Sequence, residues 1–427
     1  MLDMRVFREN ADVIRADHDR RGLSHEKIDE VIRIDEQWRA ALHEQGQARQ
    51  QRNEASRGIS EAKKAGEQER MAQILAEVKD LGSTIDELDE QAGSLLEERD
   101  ALRMSIPNLL HADVPDGEGD HGNTLASVHG DRPEYDFSPA SHNDLLERNN
   151  WVELARAAKI TGSRFYFLKG DLARLDLALQ VYAVDFLIEC GYTLVQPPAM
   201  MNRRAYEGVT DLADFETVMY EVEPDGYYMI ATSEHPLTAM YMDEVLEPSV
   251  LPIRMVGLSP CFRREVGAHG QSDKGIWRVH QFTKIEQIII SHPDDSWDLH
   301  EELLANCIEL WDSLELHYNV VNICTGDMGT VAARKYDLEA WLPGAGAYKE
   351  VVSCSNCTDY QANRLAMRYR TPDGNAAVHT LNSTALATSR ALVAIMEQCQ
   401  QQDGRVAIPD VLQPHMNGRE YLEPAPL

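Results

Sequence analysis

Apolar and small residues recur along the N-terminal quarter of the chain with the alternating spacings of three and four that are typical of a coiled coil. A first run comprises Val31, Ile34, Trp38, Ala41, Ala48, Ala55, Ile59 and Ala62. A second run comprises Met71, Ile74, Val78, Leu81, Ile85, Leu88, Ala92, Leu95 and Leu102. Gly66 lies between the runs and can end a helix, so the pattern predicts an antiparallel helical hairpin. Each limb, at roughly 35 residues and 1.5 Å per residue, would extend about 50 Å.

Two shorter segments flank this hairpin. Residues 1–22 have an amphipathic pattern that predicts one short helix ending at Gly22. Residues 105–133 are dense in Pro, Gly, Asp and Asn, which favour turns and predict a linker. We therefore divide the chain into an N-terminal helical arm, residues 1–104, a linker, residues 105–133, and a larger domain, residues 134–427.

The larger domain alternates helical and strand-like patterns. Helical segments such as 171–190 separate the strand-like segments YTLVQ (192–196), MIAT (229–232), RMVGLS (254–259), FTKIEQIIIS (282–291) and VVNICT (320–325). Short strands mixed with helices predict an α+β fold, with a mostly antiparallel sheet flanked by helices.

The charge of the chain is strongly negative, since 71 acidic residues outnumber 41 basic ones and give a formal net charge of −30. Such a balance excludes indiscriminate nucleic-acid binding, because phosphate contacts need local Lys and Arg. Basic residues nevertheless crowd toward the tip of the hairpin at Arg49, Arg52, Arg57, Lys63 and Lys64. A dimerisation coiled coil or a spacer is the commoner role for such a hairpin. The basic tip favours contact with RNA instead.

The cysteine content and the N-terminus indicate where the protein works. Seven Cys are scattered without the spacing of a disulfide framework, which predicts a reducing, cytoplasmic environment. No signal-peptide pattern and no apolar run long enough for a membrane span is present. Cys354-x-x-Cys357 suggests zinc, but a structural site needs four ligands, so we predict two buried thiols.

Residues 262–286 carry the main concentration of chemistry. Phe262-Arg263-Arg264-Glu265 is followed by twelve residues and then by RVHQFTKIE at 278–286. If both segments are strands of a hairpin, alternation places Arg, Phe, Lys and Glu side chains on one face. A site that activates the carboxylate of an amino acid with ATP needs cations that bind the phosphates. It also needs acidic side chains that bind the ammonium group of the amino acid. The alternative is an ordinary hairpin with cross-strand ion pairs, which better explains an isolated Arg-x-Glu.

These residues resemble motif 2 of the class II aminoacyl-tRNA synthetases, an aromatic-Arg-x-Glu, a variable loop, and Arg-x-x-x-Phe-x-x-x-Glu. Residues 384–390, TALATSR, resemble motif 3, and the helix 171–190 followed by GYTLVQPP resembles motif 1, with Pro198 at the dimer-interface position. Almost the whole chain is similar to the seryl-type family of that class. The segments that carry this likeness are IPNLLHADVP, GSRFYFLKGDLARLDLAL, ATSEHPL, EVVSCSNCTDYQANR and HTLNSTALATSRALVAIMEQ.

The resemblance implies an ATP site and assigns its residues. They are Arg263, Arg264, Glu265, Arg278, Val279, Phe282, Glu350, Val351, Val352, Ser353 and Arg390. Arg263 would contact the α-phosphate, Phe282 would stack on adenine, and Arg390 would hold the γ-phosphate together with Arg278. Arg263 and Arg390 would be the catalytic residues. Mg²⁺ would be bound by Glu350 and Ser353.

The resemblance also implies a pocket for L-serine. Its residues would be Thr232, Ser233, Glu234, Glu286, Asn382 and Thr384. Glu286 would bind the serine hydroxyl, and alanine would be rejected because it leaves a buried polar group unpaired. The sequence LNSTALA at 381–387 departs from the common bacterial LNGSGLA and matches the archaeal and eukaryotic style of the family.

The implied function is ATP-dependent activation of serine to seryl-adenylate and its transfer to tRNA(Ser), with tRNA(Sec) as a further candidate. The arm would bind the tRNA through Arg49, Arg52, Arg57, Lys63 and Lys64. The protein would be a homodimer without membrane contact. The alternatives are a paralogue that loads a carrier protein, or one that binds RNA without catalysis.

Overall fold

The structure is a computed structural model that describes residues 1–210, 217–265 and 275–426. The chain forms two compact units, Met1–Pro107 and Asn108–Leu427. Most of the variable loop between Glu265 and Arg278 falls at 266–274, outside the described residues.

The first unit is helical. Its helices are α1 (Met4–Glu9), α2 (Ala11–Arg20), α3 (Glu26–Ala65) and α4 (Gln68–Met104). Gly66 ends α3 in the left-handed conformation at φ 74°, which confirms the predicted hairpin. The single helix predicted over residues 1–22 is wrong, because the backbone of Asn10 leaves the helical region at φ −151° and divides the segment into α1 and α2.

The seam between α3 and α4 follows the predicted spacing, with polar exceptions that are paired. Gln45, which interrupts the apolar run, is buried and donates a hydrogen bond to Asp89 on α4. At the other end of the hairpin, Asp35 is buried and accepts hydrogen bonds from Arg8 at 2.7 Å and Arg99 at 2.9 Å. A buried carboxylate is tolerated here because guanidinium groups neutralise it.

The second unit is built on an eight-stranded sheet in the order β1-β9-β10-β11-β14-β8-β7-β2. Its strands are β1 (Thr124–His129), β2 (Thr193–Val195), β7 (Ile253–Phe262), β8 (Gln281–Ser291), β9 (Tyr318–Asn322), β10 (Arg334–Leu342), β11 (Ala347–Asn356) and β14 (His379–Ala387). Neighbouring strands are antiparallel except β2 and β7, which are parallel. The predicted α+β class with a mostly antiparallel sheet is confirmed.

Smaller elements surround this sheet. Two three-stranded sheets are formed by β3 (Met200–Asn202), β4 (Glu221–Val222) and β5 (Tyr227–Met229), and by β6 (Val245–Leu246), β12 (Arg368–Thr371) and β13 (Gly374–Ala377). The helices are α5 (His142–Arg148), α6 (Leu154–Thr161), α7 (Gly170–Glu189), α8 (Arg203–Val209), α9 (Glu234–Ala239), α10 (Ser296–Ser313), α11 (Tyr360–Leu365) and α12 (Thr388–Gln398). None of the helices in the described ranges is long and apolar enough to cross a bilayer.

Strand β8 faces the main hydrophobic core on one side of the sheet and a cavity on the other. Ile285 and Ile289 join the main hydrophobic core with residues of α7, α10 and α12. The alternate residues Lys284 and Glu286 point to the opposite face, where they line a cavity. Alternation along one buried strand therefore gives each face its own chemistry.

The structure differs from the sequence predictions in two strands. Thr124–His129, within the segment predicted as a linker, pairs with β9 as an edge strand. Its apolar Leu125 and Val128 are 59% and 55% exposed, so the segment lacks the apolar-in, polar-out alternation by which strands are recognised. The strand predicted at MIAT is also wrong beyond its first residue, because β5 ends at Met229.

Candidate active site

A cavity of about 470 Å³ opens on the sheet face opposite the main helices. Most residues predicted for ATP and serine line it: Thr232, Glu234, Arg263, Glu265, Arg278, Val279, Phe282, Glu286, Glu350, Val351, Ser353, Asn382, Thr384 and Arg390. They come from β8, β11 and β14, from the start of α9 and the residues before it, from the residues that follow β7 and precede β8, and from the first turn of α12. Residues more than 150 positions apart along the chain thus share one cavity.

Three predicted residues are absent from the described lining of this cavity. Val352 is buried in the main core, on the helix-covered side of the sheet. Ser233 is fully buried, and its hydroxyl donates to the carbonyl of Gly257 at 3.4 Å. The backbone N–H of Arg264 donates to the carbonyl of Val218 at 2.8 Å. Their assignment as ligand contacts stays a prediction, although a neighbouring residue of each lies in the described lining.

The predicted hairpin geometry also needs correction at its ends. Strand β7 ends at Phe262, and β8 begins at Gln281, so Arg263, Glu265 and Arg278 lie outside the strands. Glu265 has a φ of +48°, which turns the chain out of the extended conformation. The backbone N–H of Arg263 still donates to the carbonyl of His280 at 3.0 Å, so the chain leaves the extended path only after Arg263.

One wall of the cavity combines a guanidinium group and an aromatic ring. The Arg263 guanidinium carbon lies 5.4 Å from the centroid of the Phe282 ring, within cation–π range. Its Nε donates to the carbonyl of Ala231 at 3.3 Å. His280 Nδ1 lies 2.8 Å from the carbonyl oxygen of Arg263. The Arg263 head group is therefore fixed beside a flat apolar surface that suits a purine.

Two further arginines on this wall are paired with carboxylates. Arg278 donates to Glu265 at 3.1 Å. Arg390, in the first turn of α12, donates to the backbone carbonyl of Glu350 at 2.8 Å and to its carboxylate at 3.1 Å. Planar guanidinium groups held in this way match the oxygens of a polyphosphate.

The opposite end of the cavity is acidic and buried. Glu286 is 1% exposed, and its Oε2 lies 2.6 Å from the ammonium of Lys284 and 3.1 Å from the hydroxyl of Thr384, which donates to it. Thr384 is the direct cross-strand partner of Glu286 in the pairing of β14 with β8. The strand register therefore delivers the hydroxyl to the carboxylate.

Glu234 is the second carboxylate at this end. Its Oε1 accepts hydrogen bonds from the side-chain amides of Gln361 and Asn382, each at 3.1 Å. Burial, together with the negative charge of Glu286, raises the pKa of Glu234 to about 7. Two acids with the hydroxyl-bearing Thr232 and Thr384 in the same part of the cavity suit a compact ligand that bears an ammonium group and a hydroxyl.

The predicted metal ligands face the cavity on β11. Glu350 and Ser353 supply hard oxygen donors, and the Ser353 hydroxyl is hydrogen-bonded to Asp337. Burial acts to raise the pKa of Glu350, but the charges of Arg390 and Lys335 outweigh it and hold that pKa below its usual range. Within the described part of the chain, Oδ1 of Asp337 is buried without a hydrogen-bond partner. Two oxygen ligands beside an unpartnered carboxylate oxygen fit Mg²⁺, which would take its remaining ligands from phosphates and water.

Sequence reasoning left several lining residues without a role. Lys284, Lys335, Trp277 and Cys357 all line the cavity. The signal for Lys284 was present, since it lies midway between Phe282 and Glu286 on the same strand face. Trp277 gave no such signal, and its ring centroid lies 5.5 Å from the guanidinium carbon of Arg390.

The two thiols of Cys354-x-x-Cys357 point to different surroundings. Cys357 lines the cavity, whereas Cys354 donates toward the carbonyl of His300 on α10 at 3.9 Å. Both are buried, as predicted. Across the described ranges, no group of three or more His, Cys, Asp and Glu side chains is placed to hold a metal ion, which gives no support to a zinc site.

An antiparallel sheet that places several arginines beside an aromatic ring, with buried acids in the same cavity, is typical of a class II aminoacyl-tRNA synthetase. Residues 218–399 match the family model of the tRNA synthetase class II core domain (G, H, P, S and T), and residues 1–110 match that of the seryl-tRNA synthetase N-terminal domain. The chain belongs to the seryl-tRNA synthetase family.

Individual relatives cover the whole chain. A serine-tRNA ligase from Methanocella arvoryzae is 50% identical over 99% of this chain and 100% of its own. The crystal structure of seryl-tRNA synthetase from Pyrococcus horikoshii complexed with ATP is 42% identical, covers 100% of both chains and superposes with a TM-score of 0.93. That of the cytoplasmic serine-tRNA ligase from Naegleria fowleri in complex with AMP is 34% identical, covers 99% of both chains and has a TM-score of 0.88.

The raised pKa of Glu234 has a consequence for stability. The pKa rises from 4.5 to about 7 on folding, so the folded protein binds a proton that the unfolded chain releases between these values. Stability is therefore lost as the pH rises through this window. Replacing Glu234 by Gln is expected to increase the free energy of unfolding at about pH 8 by up to roughly 3 kcal/mol. Urea denaturation at about pH 5 and pH 8 measures the difference.

The control for this prediction is Glu420→Gln, at an exposed acid outside the cavity lining. It should leave both the stability and its pH dependence unchanged. A Glu234→Gln variant whose stability falls with pH in parallel with the unmodified protein would contradict the raised pKa.

Proposed function

We propose that the protein is a serine-tRNA ligase, which activates L-serine with ATP and transfers the seryl group to tRNA(Ser). The observation that carries this proposal is that one continuous cavity has a part lined by arginines and a part lined by acidic residues. Arg263, Arg278 and Arg390 line one part, and Glu234 and Glu286 line the other. A nucleoside triphosphate and a small amino acid can therefore meet in it with their reacting atoms adjacent.

ATP would occupy the arginine-lined part. The adenine ring would lie on Phe282, and the Arg263 guanidinium beside that ring would contact the α-phosphate. Arg278 and Arg390 would exchange their carboxylate partners for the β- and γ-phosphates. When bound at Glu350 and Ser353, Mg²⁺ would neutralise charge on the polyphosphate and on the departing pyrophosphate.

Serine would occupy the acidic part. Its ammonium group would be bound by the carboxylate of Glu234, to which Asn382 donates, and its hydroxyl would meet Glu286 and Thr384. Alanine would leave these buried groups unpaired, which costs far more than the loss of one contact.

The first step would be attack by a carboxylate oxygen of serine on the α-phosphorus of ATP. The new bond joins that oxygen to phosphorus, and the bond between the α-phosphorus and the bridging oxygen breaks, which releases pyrophosphate. In the second step, the 3′-terminal hydroxyl of the tRNA attacks the carbonyl carbon, and AMP leaves. Catalysis rests on positioning and on neutralisation of phosphate charge by Arg263 and Arg390.

The helical hairpin α3–α4 would bind the tRNA. Arg57, Lys63 and Lys64 are exposed near its tip, and Arg52 is half-buried. Arg49 is exposed and lies 3.1 Å from Asp89, so part of its charge is already neutralised. Binding through these residues would confine phosphate contacts to a small part of an acidic chain. tRNA(Sec) is a second acceptor to include in the charging assay.

A cytoplasmic location and a homodimer complete the proposal. All seven Cys of the chain are free thiols, which fits a reducing compartment. On α7, Leu177, Val181 and Ile188 share one helix face and are 61%, 48% and 46% exposed. This apolar face lies on the segment that resembles motif 1, and a second copy of the chain would cover it.

The two alternatives have less support. A paralogue that loads a carrier protein would have no use for a basic-tipped hairpin, and α3 and α4 are both complete. A non-catalytic RNA-binding paralogue would be free to lose Arg263, Arg390 or Glu350, and all three line the cavity.

Serine-dependent exchange of pyrophosphate into ATP tests the first step. The unmodified protein should catalyse exchange with serine and not with alanine or threonine. Arg263→Ala should lower the rate by about a hundredfold or more, because it removes a preorganised charge from the α-phosphate. Arg254→Ala is the control, since Arg254 lies on the same strand but pairs with Glu302 outside the cavity lining. Absence of serine-dependent exchange in the unmodified protein would refute the proposed function.

Charging of tRNA tests the role of the hairpin. Replacing Lys63 and Lys64 together by Glu should lower kcat/KM for tRNA charging by roughly tenfold or more, with pyrophosphate exchange within twofold. The control reverses two exposed charges elsewhere, Lys27 and Lys159, and should leave both steps unchanged. An equal loss of exchange and charging in the Lys63/Lys64 variant would contradict the division of roles.

Sedimentation tests the dimer. The unmodified protein should have about twice the mass of one 48.1 kDa chain. Leu177→Glu combined with Val181→Glu should yield monomers, because burying two carboxylates at an interface is costly. Leu75→Glu changes an equally exposed apolar residue on α4 and should leave the dimer intact. A dimer that survives both changes on α7 would place the interface elsewhere.

A further inference from the structure

Gln361, on α11, lies behind the acidic pocket and does not belong to the described lining of the cavity. It is fully buried. Its amide nitrogen donates to Oε1 of Glu234 at 3.1 Å and to the backbone carbonyl of Val209 at 2.9 Å. Its amide oxygen accepts a hydrogen bond from the hydroxyl of Thr380 at 2.6 Å. Both the nitrogen and the oxygen of the Gln361 amide are thus hydrogen-bonded.

The orientation of this amide is determined by its neighbours. The Val209 carbonyl can only accept a hydrogen bond, and so can an ionised Glu234. The amide nitrogen must therefore face both of them. The Thr380 hydroxyl, buried on β14, is left to donate to the amide oxygen. A flipped amide would place an oxygen against two acceptors, so the network admits one arrangement.

We propose that Gln361 is a positioning residue for serine binding, which holds the Glu234 carboxylate in its ionised form and in place, and that Thr380 holds Gln361. This inference rests on the proposed function, because it assigns Glu234 to the serine ammonium group. Gln361 acts through Glu234 and makes no contact with the ligand itself. The ligand class for which it prepares the pocket is a small α-amino acid in its zwitterionic form.

The ionisation of Glu234 is opposed by its surroundings. Burial and the carboxylate of Glu286 raise its pKa, whereas Lys284, Gln361 and Arg263 act to lower it. Tyr206, His235 and Cys357 lie on or beside the elements around it, and burial keeps each of them in its uncharged form. Among the described residues, the amide of Gln361 is thus one of few partners that favour the charged carboxylate without adding a charge of their own.

The sign of the pH effect follows from this balance. A hydrogen bond donated to the charged form of a carboxylate lowers its pKa, so removing the Gln361 amide should raise the pKa of Glu234 above about 7. More of the carboxylate is then protonated at neutral pH, and the serine ammonium group loses a partner. The loss should diminish as the pH rises and Glu234 ionises again.

The test is Gln361→Met, which keeps the length of the side chain and removes its hydrogen-bonding groups. In pyrophosphate exchange at about pH 7, the KM for serine should rise roughly tenfold, with the KM for ATP within twofold. The rise should shrink to a fewfold at about pH 8.5. Thr380→Val, which releases the amide oxygen while conserving shape, should move the KM for serine in the same direction by a smaller factor.

Gln398→Met is the matched control. Gln398 is also buried and also uses its amide for backbone hydrogen bonds, to His317 and Trp341, outside the cavity lining. It should lower stability without changing either KM. A Gln361→Met variant with an unchanged KM for serine would overturn the proposal. So would a KM for serine and a KM for ATP raised together by the same factor at every pH, since that pattern indicates a general structural defect.

A second readout does not depend on the proposed function. The raised pKa of Glu234 makes stability fall with rising pH, so Gln361→Met should extend that fall to higher pH in urea denaturation, and Gln398→Met should not. An unmodified protein without serine-dependent exchange would refute the proposed function, while this measurement still tests the link from Gln361 to Glu234. Parallel pH profiles for both variants would overturn that link.

Discussion

The site depends on keeping two carboxylates, Glu234 and Glu286, together in a place from which water is largely excluded. Removing each from water costs several kcal/mol, and their mutual repulsion adds to that cost. The ammonium of Lys284 and donors from β14 and α11 offset it. These groups come from separate parts of the chain, so the pocket exists only when strand register and helix position are both correct.

In the arginine-lined part of the cavity the repulsion is between positive charges, and it is again offset by oppositely charged partners. Arg278 and Arg390 are cations that would repel one another in an empty cavity, and each is held by a carboxylate, Glu265 or Glu350. A polyphosphate then replaces an existing partner instead of ordering a mobile side chain. Because side-chain ordering is part of the cost of binding, pre-paired arginines lower that cost. Both walls are thus organised before any ligand arrives.

Sequence patterns predicted the site best where the backbone is regular. Phe282, Lys284 and Glu286 alternate along one strand, and all three line the cavity as expected. Arg263 and Glu265 also line the cavity, although β7 ends before them and a positive φ at Glu265 turns the chain there. No pattern could identify Gln361, since its partner Glu234 is 127 positions away and their contact depends on how α11 packs. The family resemblance supplied residue roles that spacing alone did not. The folded structure then showed which of two neighbouring residues lines the cavity.

The net charge of −30 poses the remaining physical problem, since a polyanionic RNA must approach an acidic protein. Charges separated by more than about 10 Å are largely screened at physiological ionic strength, so the total charge matters less than the charges near each phosphate. Lys63 and Lys64 end α3 at the turn of the hairpin, where the C-terminal helix dipole favours cations. The same position therefore stabilises the helix end and provides the positive charge that the proposed RNA contact requires. Under that proposal, an acidic chain would restrict nucleic-acid contact to one short segment, which would make binding selective for an RNA of matching shape.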